Sequence, residues 1–222
     1  MMAQEELFER PQARPGELEA LLLEEGITTV IGVDEAGRGP LAGPVVAAAF
    51  WLDLTEEPDD GLRDIDDSKR LDEATREALY DRLDDGDHLH AICACDAGVI
   101  DEINVLQATF RAMEMAVEEV IEARGEAPQV VLVDGNLVIP QGSWSQRAIV
   151  KGDQRSRAIA AASVMAKVHR DRLMRRAHEE WPHYGFDSNK GYGTAAHREA
   201  LSQYGPCRLH RRSFAGVVQT EE

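Results

Sequence analysis

Three short apolar runs in this sequence end in the same way, each leading into a carboxylate with a glycine nearby. The runs lead into Asp34, Asp134 and Asp153. Short apolar runs bounded by such breaks are consistent with buried β-strands, and ligand sites of open α/β sheets form where strands end. We therefore expect a sheet whose strand ends gather acidic side chains. The alternative is that these acids stand in solvated turns, as a single strand-end acid usually does.

The order of the predicted elements indicates the fold class. Strands are predicted over residues 28–33, 44–51, 88–99, 129–133 and 147–150. Helices are predicted near the N-terminus before Gly26 and over residues 72–84, 106–121, 156–180 and 195–203. We expect Asp72 to cap the second helix and Pro182 to end the long one. This mixed order predicts an α/β domain with helices packed on the faces of a mixed sheet.

Carboxylates that are brought together repel each other and resist ionisation. A hard divalent cation removes that conflict, because Mg²⁺ binds carboxylate oxygens together with phosphate oxygens and water. The strand ends thus predict a carboxylate metal site for phosphodiester hydrolysis. Adjacent residues of a regular strand point to opposite faces, so Asp34 and Glu35 could both bind one metal only if the chain left the sheet there. We expect Gly37 and Gly39 to permit such a bend.

Charge is distributed unevenly along the chain. The sequence contains 24 Lys and Arg against 41 Asp and Glu, a net charge of −17 at pH 7. This balance excludes a uniformly basic nucleic-acid-binding protein, and we expect the acid excess to be a solvated surface. Residues 147–176 instead contain nine basic and two acidic residues, a local charge of +7. Opposite local charge often marks a partner surface, which favours a polyanion as the partner of this segment.

Several other classes of protein lack their signatures here. No apolar run approaches the roughly 20 residues that a membrane span needs, and no signal peptide is readable. Three cysteines cannot form a disulfide framework, so we expect a cytoplasmic protein with reduced thiols. Residues 37–42 fit the loose dinucleotide-binding pattern, but that pattern requires a helix next, whereas residues 44–51 are predicted to form a strand.

A longer series of motifs resembles one protein family. The first motif, GVDEAGRGPLAGPVV over residues 32–46, resembles the opening of type 2 ribonuclease H, or ribonuclease HII. Further motifs of that family follow in order at residues 67–71, 101–104, 133–136, 151–153, 161–171, 190–194 and 210–214. The resemblance covers residues 28–216 and leaves residues 1–27 outside it.

The resemblance implies a ribonuclease H-like fold, in which a mixed five-stranded sheet is flanked by helices and followed by a small C-terminal helical extension. It implies an N-terminal accessory segment at residues 1–27, a catalytic domain at 28–180 and the extension at 181–222. The implied activity is that of an endonuclease that cuts RNA in RNA–DNA hybrids and incises duplex DNA at embedded ribonucleotides, leaving 5′-phosphate and 3′-hydroxyl ends. The competing hypothesis is a non-catalytic hybrid-binding module, in which the acids only shape a surface.

Matched positions imply the residues of the site. The catalytic and metal-binding carboxylates would be Asp34, Glu35, Asp134 and Asp153. They would hold Mn²⁺ or Mg²⁺, as one ion without substrate and two ions with substrate. Substrate would be bound by a second set of residues, namely Gly37, Arg38, Gly39, Ser68, Lys69, Arg155, Lys167, Arg170 and Tyr192.

The members of that second set have different implied roles. Backbone groups of residues 37–39 would contact the ribose 2′-hydroxyl, which distinguishes RNA from DNA. The basic side chains from Arg155 onwards, together with Ser68 and Lys69, would contact backbone phosphates. Tyr192 would pack on the sugar at the RNA–DNA junction, unless it is simply a buried loop tyrosine.

The expected partner is nucleic acid alone. Residues 217–222 contain no aromatic clamp-binding motif of the kind that some archaeal members carry, so no clamp partner is expected. We expect no membrane association and a monomeric protein.

Overall fold

A mixed five-stranded sheet forms the centre of the molecule. The computed structural model describes residues 16–65 and 72–217, and its strands are β1 Thr29–Ala36, β2 Val45–Asp53, β3 His90–Cys95, β4 Val130–Asp134 and β5 Gln146–Ile149. Their order in the sheet is β3-β2-β1-β4-β5. β2 pairs antiparallel with β1 and β3, whereas β4 runs parallel to β1 and β5. The predicted α/β fold with a mixed sheet is confirmed.

Helices cover both faces of this sheet. They are α1 Glu17–Glu24, α2 Asp60–Asp64, α3 Glu73–Asp85, α4 Ala97–Arg124, α5 Arg157–Glu180, α6 Phe186–Asn189 and α7 Ala195–Tyr204, with 3₁₀ turns at Gly152–Gln154 and Pro182–Tyr184. α4 packs on the face that carries Val33 and Ala47, and α5 packs on the face that carries Val46 and Ala48. Within the described residues, no helix is both long and apolar enough to cross a membrane.

Side-chain caps fix where two of these helices begin. The Asp72 carboxylate accepts a hydrogen bond of 2.8 Å from the Thr75 N–H, which confirms the predicted cap of α3. Asp96 likewise accepts from the Val99 N–H at 3.0 Å and starts α4. The prediction of one strand over residues 88–99 was therefore wrong at its end, because the strand stops at Cys95 and the Asp96 cap begins a helix.

Part of the basic segment, residues 147–176, is neutralised by ion pairs with acids of the same molecule. Arg172 lies 2.6 Å from both Glu77 and Asp81, and Arg175 contacts Glu73 and Glu77. These acids all belong to α3, so an acidic helix packs beside the basic helix α5. The positive charge that residues 147–176 can offer to a partner is therefore smaller than the +7 counted along the sequence.

Residues 16–27, the described part of the predicted accessory segment, pack against the sheet. Leu18 and Leu22 of α1 are no more than 1% exposed and share a core with residues of β1, β4 and α5. The buried Glu19 accepts a hydrogen bond of 2.7 Å from the Ser156 hydroxyl at the start of α5. α1 therefore covers one corner of the sheet and stabilises the N-terminus of α5.

The C-terminal extension is joined to the loop between β1 and β2. Ala42 forms an isolated β-bridge with His210, and the Gly43 N–H donates to the Leu209 carbonyl at 2.9 Å. Apolar side chains of the extension, including Phe186, pack against this loop and the end of α5. The loop that follows β1 is therefore fixed by residues almost 170 positions away in the sequence.

The packing of α1 predicts a difference between two adjacent leucines. We expect Leu22→Ala to lower the free energy of unfolding by about 2–5 kcal/mol, because it leaves a cavity in the core. Leu23→Ala makes the same chemical change at a side chain that is 39% exposed and should cost far less. Urea denaturation of both variants measures the difference, and equal losses would contradict the packing of α1 on the sheet.

Candidate active site

The carboxyl ends of parallel strands bring the predicted acids to one edge of the sheet. The pairing of β1 with β4 aligns Val33 with Val133, so Asp34 and Asp134 follow side by side. Asp134 pairs in turn with Ile149 of β5. Asp153 comes four residues after Ile149, in the 3₁₀ turn that follows β5. The three strand ends predicted from the sequence therefore meet at one place.

Asp34 is buried among groups of like charge. Its residue is 7% exposed, and the pKa of its carboxyl is raised well above the ordinary value, first by burial and then by the charges of Asp134 and Glu35. Hydrogen bonds from Ser163 and from the backbone N–H of Glu35, 2.7 Å from Asp34 Oδ1, oppose this rise. A buried carboxylate with acidic neighbours favours either a proton or a bound cation.

Asp34 and Glu35 lie on opposite faces of β1. The strand stays regular and paired through Ala36, so the expectation that the chain leaves the sheet at these residues is wrong. Asp34 faces α5, where it meets Ser163, whereas Glu35 lines a small pocket with residues of α4 and with Asp134. The charge of Asp134 acts on both carboxyl groups, so Asp134 connects the two faces at the strand end.

Asp153 is held close to Asp134 by the backbone. Asp153 is 6% exposed, and the preceding Gly152 donates its N–H to Asp134 Oδ1 at 2.6 Å. A Cβ atom at Gly152 would lie 2.5 Å from Ile159 Cδ1 and 3.1 Å from Asp134 Oδ1. A side chain at this position would crowd Ile159 and Asp134, so the glycine before the third acid favours the close approach of the turn.

The donor set of this edge fits a hard divalent cation. Carboxylate oxygens are the ligands that Mg²⁺ and Mn²⁺ prefer, and a cation would offset the repulsion that raises the pKa of Asp34. In the described part of the chain, no three His, Cys, Asp or Glu side chains are already grouped to hold a metal. The Arg38 guanidinium lies 3.4 Å from the Glu35 carboxylate, and the Gly152 N–H already donates a hydrogen bond to Asp134 Oδ1. A cation would compete with these two donors.

The loop after β1 is supported from inside by Arg211. This residue is fully buried, and its guanidinium donates to the carbonyls of Gly37, Arg38 and Gly43, at 2.8 Å for Arg38 and 3.0 Å from Nε to Gly43. Burial, followed by the charge of Arg170, lowers the pKa of Arg211 to about 9. The side chain still carries a positive charge at pH 7 beneath the exposed residues of the loop.

Arg170 supports the same loop and does not reach the surface. It is 1% exposed, and it donates to the carbonyls of Pro44 at 3.0 Å and Ala42 at 3.2 Å. A Cβ atom at Gly37, whose φ is 98°, would lie 2.0 Å from Arg170 Nε. The prediction that Arg170 contacts a phosphate does not fit this position, because the loop covers the guanidinium.

The other residues that were predicted to contact phosphates differ in how accessible they are. Arg155 is only 3% exposed, and its Nη1 lies 3.5 Å from a backbone carbonyl, so its burial also disagrees with a phosphate contact. Lys167 has a side chain that is 38% exposed and pairs with Asp171 at 2.8 Å, which leaves it accessible. Ser68 and Lys69 lie outside the described residues.

Tyr192 lies at the surface beside the loop after β1. The residue is 48% exposed, so the alternative of a buried loop tyrosine is wrong. Its Cε1 atom would lie 3.6 Å from a Cβ atom at the exposed Gly39. The carbonyl of the preceding Gly191 accepts the Leu41 N–H at 2.9 Å. The tyrosine turn and residues 37–41 therefore form one continuous surface.

Sequence reasoning assigned no role to Arg211 or Asp101, although both lie in motifs of the resemblance. The Asp101 carboxylate accepts hydrogen bonds of 2.9 Å from the backbone N–H groups of Arg212 and Ser213, and one of 2.6 Å from the Ser213 hydroxyl. These bonds fix the segment that carries Arg211. The motifs at residues 101–104 and 210–214 thus contact each other and together support the loop after β1.

Solved structures share this arrangement of strands and helices. Ribonuclease H2 from Pyrococcus horikoshii matches with a TM-score of 0.70 and 27% identity, over 85% of this chain and 95% of that one. Ribonuclease HII of Archaeoglobus fulgidus, in its complex with PCNA, matches with a TM-score of 0.66 and 25% identity, over 87% and 98%. Bst ribonuclease HIII in complex with Mn²⁺ has a TM-score of 0.72 at 17% identity, over 94% and 72%, a likeness of fold alone. The molecule is therefore a ribonuclease H-like α/β protein.

Sequence comparison narrows this class to a family. The profile of the Ribonuclease HII family matches residues 31–217. Ribonuclease HII of Geotalea daltonii is 44% identical over 218 residues, covering 98% of this chain and 97% of that protein. Ribonuclease HII of Polynucleobacter asymbioticus is 50% identical over 193 residues, covering 87% and 96%. The chain belongs to the ribonuclease HII family and is a ribonuclease H enzyme, which favours catalysis over a binding-only module.

The environment of Asp34 predicts an unusual effect on stability. An acid whose pKa is raised in the folded state destabilises that state once it ionises, so Asp34→Asn should raise the melting temperature of the metal-free protein. This gain should grow as the pH rises above the ordinary range of a carboxyl pKa, because the unfolded wild-type chain then releases the proton that folded Asp34 still holds. Scanning calorimetry in EDTA measures the effect.

Addition of Mn²⁺ provides the second half of this measurement. The wild-type melting temperature should rise with Mn²⁺, because a ligand that binds only the folded state stabilises it, and the Asp34→Asn variant should respond less. Asp87→Asn is a matched control, since Asp87 is exposed and precedes β3 at the opposite edge of the sheet. A lower melting temperature in EDTA together with an unchanged Mn²⁺ response would contradict the assigned environment of Asp34.

Proposed function

We propose that this ribonuclease H hydrolyses the RNA strand of RNA–DNA hybrids and also incises duplex DNA at embedded ribonucleotides, leaving 5′-phosphate and 3′-hydroxyl ends. The observation that carries the proposal is a juxtaposition. The acids at the ends of β1 and β4 lie at the base of an exposed glycine loop, residues 37–39, and the ring of Tyr192 lies beside Gly39 of this loop. In this proposal, the carboxylates are the cleavage centre and the adjacent loop and tyrosine are the surface for a single sugar.

The carboxylates would act by holding divalent cations. Asp34, Glu35, Asp134 and Asp153 would bind Mn²⁺ or Mg²⁺, one ion in the free enzyme and two with substrate. Asp34 and Glu35 lie on opposite faces of β1, so they would not both hold the same ion. When bound, such ions lower the pKa of a water nucleophile and stabilise the leaving oxygen. Asp34 and Asp134 contribute negative charge from a rigid strand end, and the Gly152 N–H fixes the orientation of Asp134. Glu35 would give up its contact with Arg38 to hold a cation.

The loop after β1 would recognise the ribose. Gly39 is exposed and has no side chain, so its backbone can approach a sugar closely. Arg211 draws the carbonyls of Gly37 and Arg38 inward. Because a trans peptide points its C=O and N–H in opposite directions, the N–H groups of Arg38 and Gly39 are directed away from Arg211. They are available to hydrogen-bond the 2′-hydroxyl, the group that separates RNA from DNA.

The remaining contacts would place the duplex. The Tyr192 ring would pack on the sugar at the RNA–DNA junction beside Gly39. Lys167 is the accessible member of the predicted basic set within the described residues, and Arg38, with half of its side chain exposed, is a second cation at the loop. Ser68 and Lys69 are proposed to contact phosphates from the sequence alone.

A charge-neutralising substitution separates catalysis from binding. We expect Asp134→Asn to lower kcat by more than about 100-fold, since even outer-shell partners of a bound metal are worth 10–100-fold. The fold should persist, because an asparagine Oδ1 can still accept the Gly152 N–H. Binding of hybrid, followed by fluorescence anisotropy, should be unchanged or tighter because less negative charge faces the phosphates.

The substrate set for this measurement is a duplex with one embedded ribonucleotide, an RNA–DNA hybrid and an all-DNA duplex of the same sequence. Wild-type enzyme with Mn²⁺ should cut the first two, and EDTA should stop both reactions. Asp87→Asn should cut like the wild type. Cleavage by Asp134→Asn within tenfold of wild type would falsify the carboxylate assignment, whereas cleavage of the hybrid alone would remove the embedded ribonucleotide from the proposal.

Substitutions of Tyr192 test the sugar contact. Stacking on an aromatic ring is worth about 1–3 kcal/mol, so Tyr192→Ala should lower kcat/KM on a single embedded ribonucleotide by about tenfold or more. Tyr192→Phe keeps the ring and should stay close to wild type. Equal activity of all three proteins would show that Tyr192 does not contact the substrate.

A further inference from the structure

Two buried histidines contact each other behind the tyrosine turn. His197 on α7 and His210 after it are 0% and 2% exposed, and their Nε2 atoms lie 3.0 Å apart. Aromatic rings enclose the pair, with the Tyr184 ring centroid 4.7 Å from His210 and the Phe186 centroid 5.4 Å from His197. The proposed chemistry uses neither histidine.

The hydrogen bonds at the two ends of the pair determine which nitrogen carries each proton. The Cys207 backbone N–H donates to His210 Nδ1 at 3.0 Å, so His210 Nδ1 must be an acceptor and its proton is on Nε2. That proton can be donated to His197 Nε2. The proton of a neutral His197 is then on Nδ1, which lies 2.9 Å from the Tyr192 carbonyl. Cys207, His210 and His197 thus donate in turn, and the chain of hydrogen bonds ends at the Tyr192 carbonyl.

The protonation state of both rings agrees with this chain. Burial lowers the pKa of His197, and burial together with the nearby His197 ring lowers the pKa of His210 to about 4. Both imidazoles are neutral at pH 7. Since a neutral imidazole has one donor and one acceptor nitrogen, every ring nitrogen of the pair is used once.

The chain ends at the residue that carries the surface tyrosine. The Tyr192 carbonyl accepts a second hydrogen bond of 2.8 Å from the Thr194 N–H, and the Tyr192 N–H donates to Asn189 at 2.9 Å. Lys190 and Gly191 have φ values of 51° and 85°, so the turn before Tyr192 is held in a left-handed conformation that needs such anchors. The Tyr192 ring emerges from this turn against Gly39.

We infer that His197 and His210 are positioning residues, whose opposite tautomers form a relay that holds Tyr192 against the glycine loop. The inference rests on the proposed function, because it concerns the residue that would pack on the junction sugar. The relay orders the backbone of Tyr192 from below, while the bond from Leu41 to Gly191 fixes the same turn from the side. Loss of the relay should therefore loosen the aromatic contact without touching the carboxylates.

The tautomers can be measured without reference to activity. Two-bond ¹⁵N–¹H correlation spectra of the ¹⁵N-histidine-labelled protein at pH 7 report which ring nitrogen is protonated. We expect the Nδ1–H form for His197 and the Nε2–H form for His210. The same tautomer in both rings, or a charged imidazolium at either position, would overturn the relay.

Kinetics test whether the relay acts through Tyr192. His197→Phe keeps the shape of the ring and removes both polar contacts, and kcat/KM on a duplex with one embedded ribonucleotide should fall on the order of tenfold. His197→Asn retains an amide donor near the Nδ1 position and should recover most of that loss. His183→Phe makes the same change at an exposed histidine of the same aromatic cluster and should leave kcat/KM within about twofold, as expected for a surface change.

A double-mutant cycle decides between positioning and general destabilisation. In a Tyr192→Ala background, His197→Phe should cause no further loss of kcat/KM, because the ring that it positions is already absent. Losses that multiply, or an Asn variant as impaired as the Phe variant, would overturn the inference. Wild-type activity of Tyr192→Ala alone would instead remove the tyrosine from the proposed function, so the two failures are distinguishable. If His197→Phe does not fold, the Asn variant and the spectra decide.

Discussion

The parallel pairing of β1 with β4 is the constraint on which the rest of the site depends. It aligns Val33 with Val133, and the next residue of each strand is an aspartate. The pairing is possible because both strands are apolar and buried between helices on the two faces, as parallel strands usually are. The hydrophobic core thus supplies the free energy that keeps two like charges adjacent, and the pKa of Asp34 is raised first by burial and then by the charge of Asp134.

Two buried guanidinium groups organise a loop that has little regular secondary structure of its own. Arg170 and Arg211 donate to backbone carbonyls throughout residues 37–44. Buried cations are costly to desolvate, and here hydrogen bonds to carbonyl dipoles offset that cost. The positive charges also lie beneath the surface on which a polyanion is proposed to bind. The same residues therefore support the loop mechanically and favour the substrate electrostatically.

Three segments far apart in sequence converge on this loop. Asp101 anchors the segment of Arg211, the Gly191 carbonyl of the tyrosine turn accepts the Leu41 N–H, and the inferred histidine relay secures that turn from behind. Apart from the bond between the two histidine rings, each link uses a backbone group on at least one side. Such an arrangement positions a surface for a single sugar with few exposed side chains, and it explains why motifs without obvious chemistry accompany the acidic ones.

The sequence alone predicted the α/β fold class and three apolar runs that lead into Asp34, Asp134 and Asp153, because apolar patterning and glycine placement are local properties of the chain. It extended β3 past the cap at Asp96, and the full set of site acids came from the family resemblance. The resemblance also implied that Tyr192 packs on the junction sugar, and the exposure of this side chain agrees with such a contact. Only the tertiary structure decided which cations are free. Arg170 and Arg155 look like phosphate ligands in sequence, but both are buried, whereas Arg172 is paired with acids of α3. Burial and pairing depend on residues distant in the chain, so charge counted along a segment cannot reveal them.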